Sequence, residues 1–258
     1  MSYALVTGAS GGIGLSIAEE LAKKGYNLLL VARSEERLES IKTDLSKKYS
    51  IEVHWLGIDL SSARSHLDLV NWIATNDWRL TVLVNNAGYG LWKSVEKSSL
   101  EELENLMQLN MNALVNICHS FIPILKKNSP SFILNIASTA SYQAVPYLST
   151  YAATKAFVVL FSRGLRWELK ESNVSVTTVS PGATSTGFID RAEMGLLKEK
   201  AEKFSMTPQE VARISVAGMF AGKTEVIPGF ANWISVKLTY LLPKILVEKI
   251  ALGLYKKK

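Results

Sequence analysis

Residues 3–14, YALVTGASGGIG, form the stretch of sequence that decides the fold. The apolar run 3–7 predicts a buried strand, and the glycines after it predict a tight turn, because glycine adopts backbone conformations that other residues avoid. Ile17 and Leu21 then recur at helical spacing, and Gly25 marks the end of the helix. In this context, the free N–H groups at the helix N-terminus favour a phosphate group. The alternative is a purely structural turn between a strand and a helix.

A second buried strand is predicted over Asn27–Ala32, and the residues that follow it bear on the choice of nucleotide. Its unbroken apolar sequence is typical of a parallel sheet that is covered on both faces. An acidic residue at this strand end would bind the ribose hydroxyls of NAD, whereas Arg33 and Ser34 offer a guanidinium and a hydroxyl that match a 2′-phosphate. The pattern therefore favours NADP(H) over NAD(H), unless Arg33 is an ordinary surface residue.

Apolar strands and helices alternate along most of the chain. Strands are predicted over residues 3–7, 27–32, 51–58, 80–84, 132–138 and 174–180, with a short strand beginning at 225. Further helices are predicted over residues 35–48, 62–77, 100–120, 151–171 and 208–222, which leaves Pro123 beyond a helix end and 126–130 as a turn. This alternation predicts an α/β fold in one domain, with a Rossmann-type doubly wound parallel sheet in a three-layer α/β/α arrangement.

Several polar residues follow the predicted strands or interrupt a predicted helix. Asp59 follows the third strand, where it could accept a hydrogen bond from an adenine amino group or cap the next helix. Asn86-Ala87-Gly88 follows the fourth strand, and its small residues would let a flat ligand lie against the backbone. Asn110 and Asn112 lie inside a predicted helix, where asparagine is unfavourable, so we expect one of them to face inward and bond a specific partner.

Ser138, Tyr151 and Lys155 form a candidate proton-transfer group. Ser138 ends the predicted strand 132–138, and a helix places Tyr151 and Lys155 on one face because they are four residues apart. A phenol has a reference pKa of about 10, and a neighbouring ammonium group would lower that pKa toward neutrality. Taken alone, this spacing more often indicates a tyrosine on a helix face with a surface lysine below it.

Composition narrows the possible functions. The 258 residues are 48% hydrophobic and 20% charged, as in an ordinary globular protein. The single cysteine, Cys118, excludes an intrachain disulfide and fits a reducing compartment, and the three histidines lack metal-ligand spacing, so no metal site is expected. We find no signal peptide and no apolar run of transmembrane length, and we expect a cytoplasmic protein.

Taken together and in order, these motifs resemble the NADP-preferring branch of the short-chain dehydrogenase/reductase family over residues 3–230. The resemblance implies that Tyr151 is the general acid/base and that Ser138 orients and polarises a carbonyl group. It also implies that Lys155 lowers the pKa of Tyr151 and holds the nicotinamide ribose, and that Asn110 helps to keep a water between Lys155 and solvent. The implied cofactor-binding residues are Gly8, Ser10, Gly12, Ile13, Gly14, Arg33, Ser34, Asp59, Leu60, Asn86, Ala87, Gly88, Tyr151, Lys155, Pro181, Gly182 and Thr186.

The resemblance implies an NADP(H)-dependent oxidoreductase that interconverts a carbonyl and a secondary alcohol by hydride transfer. Residues expected near the substrate are mostly apolar: Tyr89, Leu91, Trp92, 143–148 and 187–205. An acyl, aromatic or steroid-like carbonyl compound is therefore favoured over a sugar, unless these side chains only pack the core. The alternative function is a catalytically weak, NADP-binding regulatory or membrane-associated binding protein with the same fold.

The last 26 residues depart from the usual family pattern. We expect a domain over residues 1–232 that holds both cofactor and substrate sites, followed by an amphipathic basic tail over 233–258 that Pro243 divides. The tail carries six lysines against Glu248, a net charge of +5, so the near-neutral body argues against nucleic-acid binding. The tail could lie on an anionic membrane surface, cover the substrate mouth, make a subunit contact or simply dock on the domain. A homodimer or homotetramer is expected from the resemblance.

Overall fold

The computed structural model describes residues 2–185 and 205–255. Seven strands form a single parallel sheet in the order β3-β2-β1-β4-β5-β6-β7. The strands are β1 Tyr3–Thr7, β2 Asn27–Ala32, β3 Val53–Gly57, β4 Leu80–Asn85, β5 Ser131–Ile136, β6 Val174–Val179 and β7 Glu225–Val226. The predicted doubly wound α/β fold is confirmed, and the third strand is shorter than the predicted 51–58.

Helices cover both faces of the sheet. They are α1 Gly12–Ala22, α2 Glu35–Tyr49, α3 Ser65–Thr75, α4 Leu100–Met107, α5 Leu114–Lys127, α6 Ser149–Glu168, α7 Pro208–Phe220, α8 Phe230–Leu241 and α9 Lys244–Tyr255. One core lies between the sheet and α3, α5 and α6, and the other lies between the sheet and α1, α2 and α7. Because both faces of the sheet are buried, β1, β2 and β4 are buried along their whole length, as their unbroken apolar sequences predicted.

The strand order reverses between β1 and β4, which are neighbours although β2 and β3 separate them in sequence. Loops that leave the carboxyl ends of two such strands diverge to opposite faces of the sheet and open a crevice between them. The glycine turn after β1, the Asn86 segment after β4 and the Ser138 segment after β5 all lie at this edge. The fold therefore brings the predicted site residues to one end of the sheet.

The region predicted as a helix over 100–120 with a turn after it is different in the structure. Residues Gln108–Ala113 form a π-helical turn between α4 and α5, and α5 continues through Pro123 to Lys127. Pro123 lies on the exposed side of α5, whereas Phe121 and Leu125 are fully buried. We infer that burial of these two side chains offsets the hydrogen bond that proline removes, because a solvent-side carbonyl can bond water instead.

The tail forms two helices that Pro243 separates. α8 begins at Phe230, so the expected boundary between residues 232 and 233 lies inside this helix. Residues 187–204 of the expected substrate segment lie outside the described part of the chain. Among the helices of residues 2–185 and 205–255, none has the length and apolar character needed to cross a bilayer.

Candidate active site

The turn between β1 and α1 is closed by contacts that leave no room for side chains. A Cβ on Gly14 would lie 2.3 Å from the Gly8 carbonyl oxygen and 2.4 Å from the Asn86 side-chain nitrogen. Gly8 and Gly12 adopt φ angles of +66° and +56°, in the left-handed region that favours glycine. α1 begins after Gly11 with no side chain capping its N-terminus. Its first N–H groups are therefore available to an anion that approaches over the glycines.

The end of β2 carries the residues expected to choose between the two nucleotides. Arg33 and Ser34 are exposed just after β2, and Asp59 is exposed just after β3, whereas Leu60 is buried. Asp59 accepts hydrogen bonds from the Ser61 N–H at 2.9 Å and the Ser61 hydroxyl at 2.7 Å. These bonds lower the pKa of Asp59, and the positive charge of Arg33 lowers it further. Arg33 and Asp59 therefore flank the same edge of the crevice.

Thr7 and Asn86 join the glycine turn to the end of β4. The Thr7 hydroxyl donates to the Val84 carbonyl at 3.1 Å and accepts from the N–H groups of Asn86 at 3.0 Å and Ala87 at 3.1 Å. The Asn86 amide donates to the carbonyls of Thr7 at 2.9 Å and Gly8 at 3.2 Å. Thr7 is missing from the predicted site set, although its place just before the glycines could have indicated it.

Asn110 is the inward-facing asparagine of the predicted helix. It lies in the π-helical turn and is buried, whereas Asn112 is exposed. The Asn110 side chain accepts from the Tyr89 N–H at 3.1 Å and donates to the Tyr89 carbonyl at 3.0 Å and the Thr154 hydroxyl at 3.1 Å. Asn110 thereby links the loop after β4 to α6, and Thr154 is a second residue that sequence reasoning missed.

α6 presents Tyr151 and Lys155 on one face, four residues apart, toward the end of β5. The two side chains are 7% and 5% exposed. The Lys155 ammonium group donates to the Ile136 carbonyl at 2.9 Å, at the end of β5. A Cβ on Gly88 would lie 2.8 Å from Asn110 Oδ1 and 3.3 Å from Lys155 Nζ. Gly88 therefore has to be glycine for Asn110 and Lys155 to come this close to the backbone.

Burial dominates the proton affinities of these two groups. Burial raises the pKa of Tyr151 to about 12; a hydrogen bond with Ser138 lowers this pKa, and the nearby phenol of Tyr255 raises it. Burial also lowers the pKa of Lys155 to about 8. In this geometry the loss of hydration outweighs the other influences on the phenol, and that Lys155 lowers the pKa of Tyr151 stays a prediction.

Ser138 and the segment after β6 lie at the carboxyl ends of the strands, with the other predicted site residues. The Ser138 hydroxyl accepts from the Ala140 N–H at 3.1 Å, and the next residue, Thr139, donates its N–H to the Pro181 carbonyl at 2.9 Å. A Cβ on Gly182 would lie 2.3 Å from the Asn232 side-chain oxygen, so α8 begins against this segment. Pro181 and Gly182 thus lie beside Ser138, whereas the predicted site residue Thr186 is outside the described residues.

Tyr151 belongs to an apolar cluster. Its buried members are Trp92, Leu106, Val145, Leu148, Tyr151 and Ala152, and Tyr89, Leu91, Ala140, Tyr147 and Tyr255 pack against them. Six of the residues expected near the substrate are here, and the tail adds Tyr255, which sequence analysis did not single out. Within residues 2–185 and 205–255, no group of three or more His, Cys, Asp or Glu side chains is arranged to hold a metal ion.

Comparison with known proteins adds independent information about this arrangement. A family model described as short chain dehydrogenase matches residues 2–194. Very-long-chain 3-oxoacyl-CoA reductase-A of Danio rerio is 31% identical over 206 residues, which are 78% of this chain and 64% of the relative. The chain thus spans less than two thirds of that relative's length. Hydroxysteroid dehydrogenase-like protein 1 of Gallus gallus is 28% identical over 88% of this chain and 68% of its own.

Two solved structures are similar over most of the chain. A short-chain dehydrogenase from Sphingobium yanoikuyae in complex with NADPH has a TM-score of 0.83 and 30% identity, and the match covers 93% of this chain and 94% of the other. An alcohol dehydrogenase from the archaeon Thermococcus sibiricus, complexed with 5-hydroxy-NADP, has a TM-score of 0.78 and 29% identity, over 88% and 95% of the two chains.

The lowered pKa of Lys155 predicts how stability changes with pH. A lysine titrates at about 10.4 when unfolded and at about 8 in this fold, so the unfolded chain holds more protons between these values and stability rises with pH. We expect the unfolding free energy of the ligand-free wild type to rise, relative to that of Lys155→Met, by on the order of 2 kcal/mol from pH 7 to pH 9.5. Guanidinium denaturation of both proteins at each pH measures this difference, and a constant difference would contradict it.

Proposed function

Since the chain belongs to the short-chain dehydrogenase family, we propose that it is an NADP(H)-dependent oxidoreductase that interconverts an apolar carbonyl compound and its secondary alcohol. The observation that carries this proposal is the convergence of Asn110, Ser138, Tyr151 and Lys155 beside an apolar cluster at the carboxyl edge of the sheet. Proton-transfer groups of this kind, next to a crevice that suits a nucleotide, support carbonyl reduction or alcohol oxidation.

The residues at the switch point fit a dinucleotide phosphate. Gly8 and Gly14 have no room for a side chain, so the turn packs tightly against Asn86, and the uncapped start of α1 leaves its first N–H groups available to a phosphate. Arg33, exposed after β2, would pair with a 2′-phosphate, and Lys155 would hold the nicotinamide ribose. When bound, the cofactor supplies or accepts the hydride. The relatives with NADPH and an NADP analogue support NADP(H) as this cofactor.

The chain's own residues then orient the substrate and move a proton. Ser138 would donate a hydrogen bond to the carbonyl oxygen and polarise it. Tyr151 would give its proton to the same oxygen during reduction and take it back during oxidation. Asn110, which bonds the Tyr89 backbone and Thr154, holds α6 against the loop after β4 and so helps to fix Lys155 beside Gly88.

The side chains around Tyr151 support an apolar substrate. The cluster consists of aromatic and aliphatic residues, with no ionised side chain among its described members. A sugar would leave its hydroxyl groups without partners in such surroundings, at a cost of roughly 1–3 kcal/mol for each unsatisfied group. The relatives include a very-long-chain 3-oxoacyl-CoA reductase and a hydroxysteroid dehydrogenase-like protein, which supports acyl or steroid-like carbonyl compounds as the substrate class.

We also propose that the tail makes a peripheral contact with an anionic membrane. α8 and α9 expose an almost continuous apolar surface, on which Phe230, Tyr240, Leu241 and Ile245 are each more than 60% exposed. Lys237, Lys244 and Lys249 are exposed among these side chains, and three more lysines follow in the sequence. A mixed apolar and basic surface of this kind binds at the boundary between lipid headgroups and acyl chains. A cytoplasmic location fits this contact and the single cysteine.

A separate apolar surface on α6 supports the expected dimer or tetramer. Leu160 and Trp167 are each 71% exposed, and Phe157 is 38% exposed. Subunit contacts commonly cover such helix faces. Light scattering that returned the monomer mass of 28.4 kDa at all working concentrations would count against this assembly.

The alternative function is a regulatory or membrane-associated protein that binds NADP without appreciable turnover. The raised pKa of Tyr151 is the observation that favours it, because a phenol that titrates near 12 is a poor base at neutral pH. The two functions differ in one measurement, turnover of apolar ketones with NADPH.

Replacement of Tyr151 by phenylalanine tests the proposed chemistry. The change removes only the hydroxyl that transfers the proton, so we expect turnover of a ketone panel to fall at least a thousandfold, within the range that general acid catalysis contributes. Binding of NADPH, followed by its fluorescence, should change less than threefold. Tyr240→Phe, in which the tyrosine is exposed on the tail, is the matched control and should keep wild-type kcat. A Tyr151→Phe enzyme that retains most of its kcat would refute the assignment.

Arg33 tests the choice of nucleotide. Without its charge, the 2′-phosphate loses a charge-assisted partner, so Arg33→Ala should weaken NADPH binding about tenfold or more and leave NADH binding nearly unchanged. Arg37→Ala, in which an exposed arginine on α2 is removed, is the control. Titration of both nucleotides by fluorescence gives the ratio of affinities. An equal loss for NADH and NADPH would place the 2′-phosphate elsewhere.

Vesicle sedimentation tests the membrane contact. Wild type should co-sediment with vesicles that contain 30% phosphatidylserine, and less with neutral phosphatidylcholine vesicles. Leu241→Glu/Ile245→Glu, which places two acidic residues on the exposed surface, should release the protein while kcat on a soluble ketone stays within twofold. The control is Leu100→Glu/Val95→Glu, two exposed apolar residues far along the chain from the tail. Equal sedimentation of wild type and the tail variant would exclude the contact.

A further inference from the structure

The inner face of α9 ends on the apolar cluster around Tyr151. Val247, Ala251 and Tyr255 are spaced four residues apart and form one stripe of the helix. Val247 and Ala251 are 8% and 1% exposed, and Tyr255 is half-buried. Ile250 and Leu254, on other faces, are more than 50% exposed. The stripe therefore faces the body of the protein, and Tyr255, its last residue, also points inward.

The last turn of α9 is fixed by a specific contact. The Trp92 indole N–H donates to the Tyr255 carbonyl at 2.9 Å, and Trp92 is itself only 2% exposed. The Tyr255 side chain packs against the cluster to which Tyr151, Trp92 and Leu148 belong. A buried indole N–H needs a partner, and this carbonyl supplies one. The contact holds Tyr255 over the cluster.

The phenol of Tyr255 lies within electrostatic range of the phenol of Tyr151, because its charge would raise the pKa of Tyr151. Burial raises the pKa of Tyr255 itself, so its hydroxyl is neutral at physiological pH. A neutral phenol in this position presents an aromatic ring and one hydroxyl to anything that approaches Tyr151. It acts by its shape and by a hydrogen bond rather than by charge.

The other end of the helix pair rests on the opposite side of the site. α8 begins with Asn232 against Gly182, and further along it the Tyr240 ring lies 6.2 Å from the ring of Tyr142, a few residues after Ser138. Two separated contacts, one near the Pro181–Gly182 segment and one near Trp92, place α8 and α9 across the edge where Ser138 and Tyr151 lie. The helix pair is thus a cover over the site, and Tyr255 is the cover's contact with the cluster around Tyr151.

We propose that Tyr255 is a specificity-determining residue, which forms the wall of the substrate chamber opposite Tyr151 and limits the width of the carbonyl compound that can reach it. This inference rests on the proposed oxidoreductase function. A carbonyl group must enter between Tyr151 and Tyr255, so a slim unbranched chain fits where a ketone with rings on both sides does not. The wild type should therefore prefer 2-decanone to benzophenone, and loss of the Tyr255 ring should reduce that preference.

The experiment compares full-length wild type, Tyr255→Ala, Tyr255→Leu and Tyr255→Phe with 2-decanone and benzophenone, with NADPH oxidation as the readout. We expect Tyr255→Ala to raise the ratio of kcat/KM for benzophenone over 2-decanone about tenfold or more, since small changes in pocket volume have effects of this size. Tyr255→Leu should lie between, and Tyr255→Phe should match wild type within threefold. Leu254→Ala, which removes an exposed side chain from another face of α9, should leave the ratio unchanged. An unchanged ratio in Tyr255→Ala and Tyr255→Leu would overturn the inference.

A binding measurement separates this inference from the proposed function. In a Tyr151→Phe background with bound NADP⁺, calorimetric titration should give the same shift in relative affinity for the two ketones when Tyr255 is replaced by leucine. If wild type turns over neither ketone, the oxidoreductase proposal fails, and the affinities still test the wall. Equal affinity ratios with and without the Tyr255 ring, or no binding of either ketone to any variant, would refute the role of Tyr255.

Discussion

The structure depends on the close approach of Gly14 to the carbonyl oxygen of Gly8. No side chain fits between them, since a Cβ on Gly14 would meet that oxygen at 2.3 Å. This contact lets α1 begin after a short turn from the end of β1 and leaves room for the Asn86 amide to bond the Thr7 and Gly8 carbonyls. β1 and β4 are thereby joined at the point where the strand order reverses. The crevice that opens there exists because one backbone turn is packed against an asparagine from a strand far along the chain.

Burial is the main influence on the pKa values of Tyr151 and Lys155. Tyr151 and Lys155 lose most of their hydration on α6, which raises the pKa of one and lowers the pKa of the other. Both shifts favour the neutral side chain. At neutral pH the phenol holds its proton, as an unburied phenol also would, and its raised pKa makes it a weaker acid toward a carbonyl oxygen. Ser138 and Gly88 both influence this pair. The hydrogen bond with Ser138 lowers the pKa of Tyr151 and so partly offsets the effect of burial. Gly88 has no side chain, which lets the Lys155 ammonium group come close to the backbone.

The sequence predicts the features that depend on local pattern and fails where distant contacts decide. The strand and helix alternation, the glycine turn and the inward-facing Asn110 follow from periodicity, glycine conformation and the cost of asparagine in a helix. The continuation of α5 through Pro123 does not, because it depends on burial of Phe121 and Leu125 against the sheet. The pKa of Tyr151 could not be predicted from its spacing to Lys155, since hydration depends on what covers the helix. Trp92 and Tyr255 are 163 positions apart, and no local signal connects them.

The tail has two faces, of which one contacts the protein and the other is exposed. Its inner stripe is held by Trp92 and the cluster around Tyr151, whereas its outer surface exposes apolar side chains that water solvates poorly. Each helix has 12 residues, about 18 Å, which is too short to cross a bilayer of about 30 Å, so a lipid contact would leave both helices lying along the membrane surface. In that orientation the inner stripe can stay on the protein while the outer surface enters the lipid boundary. Because Tyr255 is the last residue of α9, a lipid contact that shifted this helix would move the Tyr255 side chain with it.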